Sequence, residues 1–229
     1  MARTRASVLT PLILAVFLIG VVAPQPALAA PCTGAQIIHL QAVPGTNGRG
    51  ARSTSMVTFN AAVTCAHISS IGDRSTSGNG VFTEAGWLEN PAGLIICGTT
   101  SGPPKWFVFW VVASGAATCV TGSNVGAGST HSYAVRDNEQ DGIWNLVFDN
   151  VTQATPNMGT FVTGQPIANG ERRVSSDPGI VDIKGLQRMN STASWVSWTN
   201  TSGIDNDPGF LICTTKFPTE LLTAVMGPC

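Results

Sequence analysis

The chain has 229 residues, 43% of them hydrophobic and 11% charged, which is room for one large domain or two small ones and too little charge for a disordered chain. Twelve Lys and Arg against thirteen Asp and Glu give a net charge of −1. That balance excludes the basic footprint of a nucleic-acid-binding protein.

In chain order, the first element reads as a secretory signal. Arg3 and Arg5 make a positive start, residues 8–22 form an apolar run broken only by Thr10, Pro11 and Gly20, and Ala27-Leu28-Ala29 supplies small residues for cleavage. Residues 1–29 are expected to be removed. The run is short for a membrane span of ~20 residues, so residues 30–229 are expected to form a single secreted domain, extracellular and off the membrane. Losing Arg3 and Arg5 and no acid leaves ten basic residues against thirteen acidic ones, net −3.

Residues 30–50 read as a loosely ordered lead-in strand. Strands are then expected over 56–64, 81–88, 106–112, 132–136, 143–151, 180–183, 193–198 and 210–215. Alternation carries most of these: Val81, Thr83, Ala85 and Trp87 take one face, and Phe82, Glu84, Gly86 and Leu88 the other. In 143–151, Trp144, Leu146 and Phe148 point inward. Residues 75–80, 100–104, 137–142 and 201–209 hold the Gly, Pro, Asn and Asp that tight turns demand. The one helix expected is a short C-terminal one over 219–226, with Thr219 as its cap. The pattern predicts an all-β, two-sheet antiparallel β-sandwich of jelly-roll or concanavalin-like type.

The six cysteines are Cys32, Cys65, Cys97, Cys119, Cys213 and Cys229. An even count in an exported chain reads as three disulfides, with fifteen pairings open. Cys97–Cys119 is the favoured local bridge, since each ends an apolar segment flanking 106–112, and Cys32–Cys229 would tie the termini. No C-x-x-C spacing points to zinc or thiol redox chemistry.

His39, His67 and His131 are far apart and form no ligand pair, so no metal and no cofactor are expected. Asp205-Asn206-Asp207 reads as a turn before it reads as a calcium loop, and 137–142 as a solvated acidic hairpin tip. No G-x-S-x-G elbow and no G-x-G-x-x-G loop is present. Five glutamates remain. Glu84 shares a strand face with Phe82 and Leu88, where desolvation raises a carboxyl pKa, the condition a general acid needs. Glu171, between Gly170 and Arg172, becomes its partner if the sandwich brings both to one concave face; such a pair hydrolyses glycosidic or peptide bonds according to its separation.

Six tryptophans are many for this length. Trp87, Trp144 and Trp195 read as core. Trp106 and Trp110, on one face of one strand, and Trp198 read as a stacking platform for sugar rings or peptide side chains. Of Trp195 and Trp198, at least one is expected at solvent or a rim. Asn150, Asn190 and Asn200 each open a glycosylation sequon.

Three segments, 63–70, 82–87 and 105–112, resemble a type of exported actinobacterial β-sandwich protein, itself loosely similar to the fungal glutamic peptidases (eqolisins). The resemblance spans about residues 50–200 and implies a concanavalin-like double sheet with a concave groove. Eqolisins activate water at acid pH with a Gln and a Glu. In the resemblance Glu84 stands in place of the Gln, ahead of Ala85-Gly86, and the Glu falls near Glu171. The acidic residue of the family's Trp-rich strand falls near Phe109, and its Trp-x-Gly-x-Asp-Gly segment is absent.

The sequence thus favours a secreted, non-catalytic binding or surface-interaction module whose ligand is a carbohydrate or an extended peptide. An acid-active hydrolase working through Glu84 and Glu171, either an eqolisin-like peptidase or a two-carboxylate glycosidase, is the alternative. A purely structural envelope component is the third reading. No nucleic acid partner is expected, and the sequence sets no oligomeric state.

Overall fold

A computed structural model describes residues 38–44, 46–58, 65–90, 97, 102–172, 180–199, 201–206 and 218–222, all within one unit, Cys32–Cys229. The signal segment, Cys32, Cys213, Cys229 and the strand expected over 210–215 lie outside the described residues.

The strands are β1 (Ile38–Pro44), β2 (Gly50–Val57), β3 (His67–Arg74), β4 (Phe82–Glu89), β5 (Lys105–Val111), β6 (Ala117–Asn124), β7 (Thr130–Arg136), β8 (Asn145–Phe148), β9 (Val151–Ala154), β10 (Gln165–Arg172), β11 (Asp182–Lys184), β12 (Gln187–Met189), β13 (Trp195–Ser197), β14 (Thr201–Asn206) and β15 (Glu220–Leu222). One sheet has the order β14-β1-β10-β3-β4-β5-β6. The other has the order β13-β12-β2-β7-β8-β9, with β11 joined to β2 and β15. Their pairings are antiparallel, and β3 and β4 pack against β7 and β8 of the facing sheet. The fold is the expected two-sheet β-sandwich.

Alternation decides which side chains meet between the sheets. Ile71, Ala85, Trp87, Val108 and Ala168 of the first sheet join Met56, Tyr133, Val135, Trp144 and Leu146 of the second in one core cluster. Full burial of a side chain of this size contributes roughly 1.5–3 kcal/mol. Trp144 also donates its indole N–H to the Phe161 carbonyl at 2.6 Å and stacks on the Phe161 ring. Its polar atom is thereby satisfied inside the core.

Cys97–Cys119 is formed as expected, and it closes a span of 22 residues. Cys65 is also disulfide-bonded. The C-terminal helix is not formed where it can be followed: Glu220–Leu222 is a strand pairing with Asp182–Lys184, because the edge of β11 offers its backbone groups a ladder. Residues 201–206, expected as a turn, form β14 beside β1. There the Gly and Asp content is overridden by pairing. β1 itself lies inside its sheet, between β14 and β10, and so is no loose lead-in. The strand expected at 143–151 breaks at Asp149 and Asn150, both at positive φ, so β8 and β9 form a hairpin. The 137–142 tip is not wholly solvated, since the Asp137 carboxylate is buried. It accepts the N–H of Gln140 at 2.7 Å and of Gly142 at 2.9 Å, and faces Arg49 at 4.0 Å.

Candidate active site

β4, β3 and β10 lie side by side, and their registers place one row of residues on a single face of the first sheet. Glu84 is opposite Gly72, which is opposite Ile167. One step along, Gly86 is opposite Ser70 and Ser70 is opposite Asn169; the next step on β10 is Glu171. Period-2 geometry therefore brings Glu84, Ser70, Asn169 and Glu171 to the same face.

Glycine makes the approach close. A Cβ at Gly86 would lie 2.7 Å from the Ser70 Cβ, and one at Gly72 would lie 3.1 Å from Ile167. Their bare backbones let Ser70 lean onto β4 and let the Glu84 carboxyl reach across β3 to β10. Ser70 Oγ donates to Glu84 Oε1. Asn169 Nδ2 donates to the same oxygen at 3.4 Å and to Glu171 Oε1 at 2.9 Å. Glu84 and Glu171 are thus bridged by one side-chain amide, whose two bonds keep the bridged oxygens within about 6.3 Å of each other, close enough for two carboxyl groups to act on one bond.

Glu84 is buried. Burial first, and then the negative charge of Glu171, push its carboxyl up to about 8, against the pull of the Ser70 and Asn169 hydrogen bonds. This is the desolvation its neighbours Phe82 and Leu88 predict. Glu84 is therefore neutral at pH 7.

Glu171 and Asn169 open into a groove of about 700 Å³. Its far end is walled by Arg74 and Gln165, whose side chains are joined at 2.9 and 2.7 Å, and by residues 75–80. Beside the row, Ile68, Leu88, Phe107 and Phe109 pack with the Cys97–Cys119 bridge into a second apolar cluster. Among the described residues no group of three or more His, Cys, Asp and Glu is placed to hold a metal ion.

The tryptophan platform is a correction. Trp106 stacks on Phe148 at 5.6 Å inside the core, Trp198 is 1% exposed, and Trp110 packs against the core cluster. Trp106 and Trp110 are on the face of β5 that pairs with Thr83 and Trp87 of β4, which is turned toward the other sheet and away from Glu84. Sequence parity correctly grouped them but did not tell inside from outside. Trp195, read as core, is half-buried and meets Arg52 on the second sheet. Ser70 and Asn169 were missed, as were Arg74 and Gln165. The Asn169-Gly170-Glu171 spacing was the one usable signal, because residues two apart on a strand share a face.

No protein-family model matches the chain, and no curated protein matches it in sequence. Solved structures do match in fold. Scytalido-glutamic peptidase, solved with a peptide-based transition state analog, is 9% identical over 83% of this chain and 98% of its own, with a TM-score of 0.56. SCP-B, a member of the Eqolisin family solved with the tripeptide Ala-Ile-His, is 8% identical over 83% of this chain and 98% of its own, at 0.54. At such identities the likeness is one of fold, and it agrees with the loose resemblance to glutamic peptidases seen in the sequence.

Proposed function

We propose that the chain is a hydrolase acting at acid to neutral pH on the peptide bonds of an extended polypeptide laid along the groove. The observation that carries this reading is the pair Glu84 and Glu171, bridged by Asn169, with one carboxyl buried and neutral and the other opening into the groove. The peptide ligands of the two fold neighbours support the substrate class. The non-catalytic module is less well supported, because the tryptophans meant to carry binding are in or against the core.

In this reading Glu171 takes a proton from a water molecule in the groove. The water oxygen bonds to the scissile carbonyl carbon. Glu84 supplies its proton to the departing amine as the C–N bond breaks, and the proton on Glu171 returns the pair to its starting state. Asn169 fixes the separation of the two groups, so it is a positioning residue. Eqolisins pair a Gln with their Glu. Here a neutral Glu84 fills that place with a donor that can also give up its proton.

The experiment is hydrolysis of an unfolded protein substrate by the purified chain from pH 3 to 9. Glu171→Gln is expected to lower the rate by about 10²–10⁴-fold, the usual worth of a positioned base. Parent activity is expected to fall as pH rises through about 8, where Glu84 loses its proton. Absence of any hydrolysis, or a Glu171→Gln rate equal to the parent's, overturns the proposal. A two-carboxylate glycosidase is the second reading, favoured by the short separation of the bridged oxygens. A panel of polysaccharides in the same assay separates the two. Export is part of the proposal, supported by the disulfides, which persist in oxidising compartments.

A further inference from the structure

A second depression, of about 340 Å³, lies on the other sheet. Its floor is Ala134 and Val147, register partners across β7 and β8, and Arg52 is the partner of Ala134 on β2. Their neighbours Tyr133, Val135 and Leu146 belong to the core, so Arg52, Ala134 and Val147 are on the outer face. Arg136, Trp195 and Asn150 form the walls.

Two guanidinium groups therefore share one small concavity in a chain with few cations. Neither meets a carboxylate among the described residues. Arg52 lies over the Trp195 ring, 4.6 Å from its centroid, and donates Nε to the neutral Gln187 Oε1. These contacts fix the guanidinium without cancelling its charge, and its two terminal amino groups have no acceptor among the described residues. Arg136 Nε is buried without a partner. Burial and the neighbouring Arg136 charge both hold Arg52 below its usual value. Like charges placed together at a half-buried site are unfavourable unless an anion joins them.

The missing group has a definable chemistry. Paired arginine forks match the planar or tetrahedral oxygens of one oxyanion. Two cations suit a single such group and not a polyanion. The space holds roughly one ring, and Thr54, Ser132 and Asn150 give hydroxyl and amide groups around it. We propose that this depression binds the carboxylate or sulfate group of an acidic sugar residue, held between Arg52 and Arg136 with the Trp195 indole beside it. The site is on the sheet opposite Glu84 and stands independently of any chemistry there.

The test is calorimetric titration of the full chain with glucuronate, with glucose as the neutral counterpart and with inorganic sulfate as competitor. Glucuronate is expected to bind, glucose not to bind, and sulfate to displace glucuronate. Arg52→Gln and Arg136→Gln are each expected to weaken glucuronate by about tenfold or more. Thermal unfolding establishes that each variant is folded before it is titrated. Equal binding of glucose and glucuronate, failure of glucuronate to bind, failure of sulfate to compete, or folded variants that bind as the parent does would each overturn the proposal. The comparison of glucuronate, glucose and sulfate on the parent chain needs no variant and decides the matter if one fails to fold.

Discussion

Glu84 is a carboxyl group that folding makes harder to ionise, and this links the site to stability. Its ordinary value of 4.5 is raised to about 8. Below pH 4.5 it is neutral in both folded and unfolded chains, and its contribution to stability is complete. Between 4.5 and 8 the unfolded chain gives up the proton first, so stability falls as pH rises, and above 8 the loss is complete. Melting temperature is therefore expected to decline across that window in the parent and to decline less in Glu84→Gln; parallel slopes would refute this. Asp73, also fully buried and raised well above its usual value by desolvation, adds a slope of the same sign that Glu84→Gln leaves in place. At this scale the sequence was partly readable. A carboxylate between Phe82 and Leu88 announces its own desolvation. Ser70 and Asn169 announce nothing, because each acquires its role only from the residue that register sets across from it.

At the scale of the element, legibility followed the hydrophobic pattern. β4 and β5 alternate or run apolar and were recognised with bounds shifted by one residue. β3 and β10, which carry Ser70, Asn169 and Glu171, were not. Their sequences, HISSIGDR and QPIANGER, are mostly polar, yet nearly every residue is buried. Ladders on both sides satisfy the backbone of these central strands, and Ser70, Asn169 and Glu171 on one face with His67, Ser69 and Asp73 on the other leave them no apolar periodicity to read. β6 shows the opposite constraint. A Cβ at Gly122 would lie 1.8 Å from the Trp106 ring, so the indole is seated on bare backbone. Gly122→Val is expected to destabilise the chain by about 1–3 kcal/mol through overpacking. Urea unfolding measures it, and a value near zero would mean that the indole has another place to go.

For the whole molecule, the Cys97–Cys119 bridge ties β6 to the segment that follows β4 and caps the apolar cluster beside the groove. Replacing both cysteines by serine is expected to cost about 3 kcal/mol for a loop of this length. Thermal unfolding with and without the substitutions checks it, and unchanged melting would show that the apolar cluster holds alone. The layered architecture was legible because turn residues recur between short β-rich runs. The order of strands was not, since pairing between distant segments leaves no local trace. That order has a temporal implication. β1 sits inside its sheet and pairs with β10 and β14, both from the last third of the chain. Loop closure over such distances is slow, so a polypeptide emerging amino end first must hold β1 unpartnered until β10 has emerged. Asn169 and Glu171 arrive with that same late segment, β10. Any hydrolytic power of the pair is thus withheld until β10 has been made and has paired with β3.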